Sequence, residues 1–184
     1  MKLICKLTDE DIEHEKIKME NPEIRYSARG IVIRNDGKIA IFYKRNKNEY
    51  KLPGGGIEKQ EIPESAFKRE VLEETGCKIE IISNMGIIEE YKTAINFKQI
   101  SYVFIGKVLK DTYNLNVTKK EKDEGAELQW KEPNEALELI KGCYNNLVAS
   151  NYGSVYSTKF VVLRDRKILE KFIFDKLKNK WYYK

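Results

Sequence analysis

Residues 54–77 read Gly-Gly-Gly-Ile-Glu-Lys-Gln-Glu-Ile-Pro-Glu-Ser-Ala-Phe-Lys-Arg-Glu-Val-Leu-Glu-Glu-Thr-Gly-Cys. Three glycines open the stretch, and a carboxylate-rich segment follows. Pro63 suits the first helical position, where its missing N–H costs nothing. Gly76 suits the stop, where a left-handed residue ends the helix. The spacing therefore predicts a helix of about 13 residues. At about 100° per residue, Glu70, Glu73 and Glu74 fall within an arc of roughly 100°. Phe67 and Val71, four residues apart, provide apolar anchorage beside it. Three carboxylates so close cannot all stay ionised cheaply without cations. Arg69 offsets part of the repulsion, and a hard divalent cation such as Mg²⁺ or Mn²⁺ offsets more. Two or three such ions would clamp a diphosphate and activate a water. Gly54, Gly55 and Gly56 let the backbone come close to a substrate or an ion, or simply turn tightly into the helix.

Strand signals surround this helix. A short strand is predicted within residues 1–7 and a turn or two of helix within 8–23. Residues 24–34 and 39–43 form the arms of a hairpin whose turn is Asn35-Asp36-Gly37, residues that tolerate positive φ. Residues 45–51 read as a basic loop. Residues 78–91, 97–109 and 126–131 read as further strands. Residues 110–125 carry no period and are expected to loop. An amphipathic helix is predicted over 133–141, a loop over 142–157 and a closing helix over 158–178. Strands in a meander with a few helices indicate an α+β fold.

Composition narrows the function. The 184 residues suit one domain. The 34 basic and 29 acidic residues give a net charge of +5, which suits a phosphorylated ligand but cannot choose between a nucleotide and RNA. Cys5, Cys77 and Cys143 form no C-x-x-C pair, as expected for a reducing compartment. With no secretory segment and no run of 18 apolar residues, a cytoplasmic protein with no membrane partner is expected. His14 is the only histidine, so Ser-His-Asp and multi-histidine metal chemistry are nearly excluded.

The stretch resembles the Nudix signature, G-x5-E-x7-R-E-U-x-E-E-x-G-U with U apolar. Gly55, Glu61, Arg69, Glu70, Val71, Glu73, Glu74, Gly76 and Cys77 fill it without insertion or deletion. A random window would match with a probability on the order of 10⁻⁸. The lead-in Leu52-Pro53-Gly54-Gly55 is similar to the family's, as are the strand before Trp130 and the helix from Pro133. The likeness covers roughly residues 24–140, with 141–184 expected as a loop and helix packing on that core within one domain. Ile62 departs from the usual polar helix cap, which leaves Glu61 or Glu64 to compensate the helix dipole.

The resemblance implies an α/β/α sandwich with a mixed sheet and the box as loop-helix-loop. It also implies metal-dependent hydrolysis of a nucleoside diphosphate linked to another moiety, with Mg²⁺ as cofactor and Mn²⁺ as the substitute. The candidates are a nucleoside triphosphate, ADP-ribose or a dinucleoside polyphosphate. Expected metal positions are Glu70, Glu73, Glu74 and Gly55. Expected catalytic residues are Glu73, Glu70, Arg69, which orients the glutamates, and Glu124. Glu124 is the first choice from the late loop, ahead of Glu121 and Glu127, for an extra ligand or base. Expected substrate contacts are Gly54, Gly55, Arg29 and Arg45, the two arginines as phosphate partners. Tyr91, Phe97 and Tyr102, at strand spacing, are read as core or cross-strand pairs rather than base-stacking rings. Two alternatives stand beside this reading: an RNA 5′-pyrophosphohydrolase, and a nucleotide sensor without turnover. No helix-turn-helix pattern follows Ile140, so no DNA partner is expected. The C-terminal helix is the expected interface of a homodimer.

Overall fold

A computed structural model describes residues 1–112, 116 and 118–178. The strands are β1 (Leu3–Leu7), β2 (Glu23–Ile33), β3 (Ile39–Lys44), β4 (Glu49–Lys51), β5 (Gly54–Gly56), β6 (Cys77–Lys92), β7 (Phe97–Asp111) and β8 (Ala126–Lys131). The helices are α1 (Pro63–Thr75), α2 (Lys119–Asp123), α3 (Pro133–Cys143) and α4 (Val155–Leu177). The sheet runs β1-β6-β7-β2-β3-β4, with β5 on β2 and β8 on β3. It is mixed: β1 lies parallel to β6 and β2 parallel to β7, while the other pairs are antiparallel.

Two apolar layers flank this sheet, because successive side chains of a strand point to opposite faces. Ala28 and Val32 of β2 join Ala66, Phe67 and Val71 of α1 on one face. Ile31 and Ile33 join Ile140 of α3 and Phe160, Ile168 and Leu169 of α4 on the other. Buried on both faces, the inner half of β2 reads as a continuous apolar run. The result is the expected α+β sandwich.

The Asn35-Asp36-Gly37 turn forms as read, with Gly37 at φ 84° and its N–H donating to the Arg34 carbonyl. Four elements differ from expectation. Residues 45–51 are a 3-10 turn followed by β4, not a plain loop. The glycines do not merely turn, since β5 pairs with Ser27, Ala28 and Arg29. The polar stretch before β8 contains α2, capped by Thr118, although part of 110–125 lies outside the described residues. Helix α4 begins three residues before its predicted start because the Ser154 hydroxyl caps the Ser157 N–H. Among the described residues no helix is long and apolar enough to cross a membrane. The three cysteines are free thiols.

Candidate active site

Helix α1 is fixed by its apolar side. Ala66, Phe67 and Val71 are fully buried, and Phe67 stacks on Phe104 of β7 at 5.6 Å. Its start carries no side-chain cap, only Pro63 and the acidic Glu64. Its end is held by Gly76 at φ 69°, whose N–H bonds the Leu72 carbonyl. This packing sets the azimuth of the glutamates.

Two cations hold those glutamates. Arg69 donates to Glu61 through Nε and Nη2 at 3.0 Å each, to Glu70 at 2.9 Å, to Glu73 at 3.2 Å and to the Gly56 carbonyl at 3.0 Å. It therefore ties the helix to the glycine strand. The Arg69 guanidinium holds the Glu61 carboxyl below the usual range, and Arg69 itself is raised by the same bonds. The second cation is Lys51, buried at the end of β4. Its Nζ donates to Glu74 Oε1 at 2.7 Å, while the Gly54 N–H donates to Oε2 at 2.8 Å. Burial pushes the Glu74 carboxyl up to about 7 despite Lys51.

The glycines matter by what they leave open. A Cβ on Gly55 would lie 2.4 Å from the Glu70 carboxylate carbon, so that carboxylate rests directly against the Gly55 backbone. A Cβ on Gly54, which sits at φ 131°, would meet the Ala28 carbonyl oxygen at 2.4 Å. Gly54, Gly55, Glu70 and Glu74 together form one wall of a cavity of about 420 Å³.

The rest of that cavity comes from β2, two hairpin turns and α4. Arg29 and Arg25 of β2 line it, and a Cβ on Gly56 would touch the Arg25 guanidinium at 2.8 Å. Lys44 and Lys47 flank one 3-10 turn and Lys92 precedes another. Arg164 of α4 is fully buried and bonds Asp165 and Glu90. Asp165 in turn accepts the Leu52 N–H at 2.8 Å, which fixes the approach to the glycines. Burial, aided by neighbouring Arg164, lowers Arg29 to about 10.

The predicted residues do not all gather here. Gly54, Gly55, Arg29, Glu70 and Glu74 line the cavity. Arg69 and Glu73 stand behind Glu70, with Glu73 39% exposed. Arg45 is 71% exposed, paired with Glu127 at 3.5 Å and away from the cavity, because the 3-10 turn points it outward. Glu124 is also elsewhere: it is buried against Lys44 at 2.5 Å and Ser150 at 2.8 Å, with no face on the cavity. Glu121 takes the position expected of Glu124. It lines the cavity, lies 3.9 Å from Lys51 and accepts from the Thr118 N–H at 2.9 Å. Burial raises the Glu121 carboxyl, but Lys51 and the Thr118 N–H outweigh it, so the net shift is downward.

Lys51 and Arg164 escaped the sequence reading. Arg164 left a signal, since it shares a helical stripe with Phe160 and Ile168, where an apolar residue belongs. Lys51 left none beyond its place before Leu52-Pro53.

The donor set is all oxygen, which suits a hard divalent cation. The Glu70 carboxylate against the Gly55 backbone and the buried Glu74 beside it form a cradle for one. Among the described residues no three candidate side chains already converge on one point: one Arg69 nitrogen holds Glu70 and Glu73, while Lys51 holds Glu74.

The sequence profile of the NUDIX domain matches residues 24–148. A MutT-like protein of Streptomyces ambofaciens is 38% identical over 61 residues, 33% of this chain and 40% of that protein. Diphosphoinositol polyphosphate phosphohydrolase 3-alpha of Mus musculus is 33% identical over 72 residues, 39% of this chain and 42% of that protein. The chain thus matches about two-fifths of the length of these curated relatives. The NUDIX hydrolase structure from Nitrosomonas europaea has a TM-score of 0.59 at 18% identity, covering 88% of this chain and 98% of that one. The MutT protein structure from Methanosarcina mazei Go1 has a TM-score of 0.53 at 20% identity, covering 85% and 98%. At these identities the two structures bear on the fold.

Proposed function

The chain belongs to the NUDIX family, and from that premise we propose that it is a metal-dependent pyrophosphohydrolase of a nucleoside diphosphate linked to another moiety. The observation that carries this reading is the folded box: Glu70 pressed on Gly55, Glu74 bonded to the Gly54 amide, and Arg69 tying both sides together. Two relatives are named as phosphohydrolases of diphosphoinositol polyphosphates, which supports cleavage at a diphosphate.

In this proposal Glu70, Glu73, Glu74 and the Gly55 carbonyl would hold a divalent cation, Mg²⁺ or Mn²⁺. The bound cation supplies Lewis-acid polarisation of the phosphorus centre and acidifies a water. Arg69 keeps the glutamates in register through its planar fork of donors. Glu121 is the loop carboxylate that accepts the proton of the attacking water, replacing Glu124 in that role. Arg29 and the Gly54–Gly56 strand orient the diphosphate. The leaving group departs as a phosphate or phosphate ester.

The test is an incubation with Mg²⁺ and nucleoside triphosphates, ADP-ribose, a dinucleoside polyphosphate and triphosphorylated RNA, with released phosphate or pyrophosphate measured. Turnover of a small nucleotide supports the reading. No turnover of any member sinks it, and turnover of the RNA alone favours an RNA 5′-pyrophosphohydrolase.

A further inference from the structure

The cavity extends beyond the carboxylate wall, and its lining there is cationic. Lysine and arginine outnumber glutamate among its lining residues by eight to four. Lys44, Lys47, Lys92 and Arg164, all from outside the box sequence, line the cavity and are all largely buried. The carboxylates that pair with three of them, Glu124 behind Lys44 and Glu90 behind Lys92 and Arg164, do not line the cavity. They hold the cations from the rear. Each ammonium carries three donors, and Lys44, Lys47 and Lys92 each have one carboxylate partner.

Two donors on cavity-lining residues are unanswered, Arg29 Nε and Arg164 Nη2. Arg164 Nη2 is buried and has no hydrogen-bond partner, although the residue is only 1% exposed. A buried unpaired guanidinium nitrogen is costly, and a ligand anion would satisfy it. Crowding acts in the same direction. Burial, together with Lys51, lowers the Lys44 ammonium, and burial, together with Arg164, lowers Lys92. An added negative charge relieves both.

A second base would find no open platform. The aromatic lining residues are Phe97 and Tyr152, and ammonium groups already cover both rings, Lys92 over Phe97 at 5.6 Å and Lys120 over Tyr152 at 5.8 Å. Two hairpin turns of like form place these lysines. In each, a 3-10 turn closes on an asparagine at φ 48°, Asn48 after Lys44–Lys47 and Asn96 after Lys92.

We propose that this cationic lining is a second phosphate-binding subsite, so that the substrate carries at least one phosphate besides the anhydride that is cut. The class is a nucleoside diphosphate whose other moiety carries a further phosphate and is anionic at its remote end. This rests on the hydrolase reading of the box and adds which diphosphate derivative the box receives.

The probe is fructose 1,6-bisphosphate, which has two phosphomonoesters, no anhydride and no base. Binding is measured by calorimetry at about 50 mM salt without divalent cation, beside the turnover assay above. Micromolar binding is expected, weakened about tenfold in Lys47→Gln and in Lys92→Gln, each of which removes a charged hydrogen-bond donor. It is expected to weaken further at about 200 mM salt. Circular dichroism checks that each variant folds. If one does not, the exposed Lys120→Gln, with a weakening of about threefold, and the salt dependence carry the test. Nucleotide turnover without bisphosphate binding overturns the subsite and leaves the hydrolase standing. Bisphosphate binding without turnover of any anhydride supports the subsite and refutes the hydrolase. Binding indifferent to salt and to all three substitutions overturns the subsite.

Discussion

Adding a single methyl group at Gly55 should stop the chemistry while leaving the fold intact, and adding it at Gly54 should destabilise the fold itself. At Gly55 the new Cβ would lie 2.4–2.5 Å from the carboxylate atoms of Glu70. Ordinary carbon contacts need roughly 3.5 Å, so that carboxylate must move by about 1 Å. It is the free end of a flexible side chain, and Arg69 keeps Glu61 and Glu73 when it moves. The stability cost should stay below about 1 kcal/mol. A reacting group displaced by about 1 Å can cost on the order of 10² in rate, or about 2.7 kcal/mol of barrier. At Gly54 the Cβ would instead strike backbone, the Ala28 oxygen at 2.4 Å and Arg29 Cα at 2.5 Å, from a φ of 131°. Backbone strain and overpacking each cost about 1–3 kcal/mol, so Gly54→Ala should lose about 3 kcal/mol or more. For a chain of this length that is a fall in Tm of roughly 6–12 °C. Thermal melts and kcat/KM on a substrate that turns over would be compared for the two variants. Equal destabilisation by both, or full activity in Gly55→Ala, would refute the reasoning.

Four further outcomes follow from the same contacts. The Glu74 carboxyl titrates at about 7 rather than in the usual carboxylate range, so it holds a proton in mildly acidic solution that a cation must displace. Apparent Mn²⁺ affinity, measured by calorimetry, should therefore rise about tenfold from pH 6 to pH 8 and then level off; a flat profile would mean that Glu74 does not ligate. Arg69→Lys keeps the charge but loses the fork that spans Glu61, Glu70 and the Gly56 carbonyl, and kcat should fall about tenfold or more with the circular dichroism spectrum unchanged. Glu121→Gln should cut turnover by about 10² with little change in the denaturation midpoint. Glu124→Gln should cost about 2 kcal/mol or more in chemical denaturation, since Lys44 loses its partner, while kcat stays within about threefold.

The box helix was legible because its limits are set by local chemistry: Pro63 opens it and Gly76 closes it. The long strands β6 and β7 and the Asn35-Asp36-Gly37 hairpin were legible for the same reason. Strand β4 was not. Its residues Glu49, Tyr50 and Lys51 carry no apolar alternation, because the two charged ones are buried by pairing with Lys47 and Glu74 rather than by apolar contact. The choice between Glu121 and Glu124 also lay beyond sequence. Both sit in one stretch of mixed charge, Lys119 to Glu124, and only the Thr118 cap of the five-residue α2 turns Glu121 toward Lys51 and leaves Glu124 facing Lys44. The arc of glutamates was read as an electrostatic cost awaiting a metal. In the fold, Arg69 and Lys51 already offset that cost.

The most direct test is an anomalous-difference map from crystals grown with Mn²⁺. The account predicts a peak against the Gly55 carbonyl, ligated by Glu70 and Glu74 oxygens at roughly 2.0–2.3 Å, and its loss in Glu70→Gln crystals. Mn²⁺ bound elsewhere, with the cradle between Gly55 and Glu74 left empty, would contradict it.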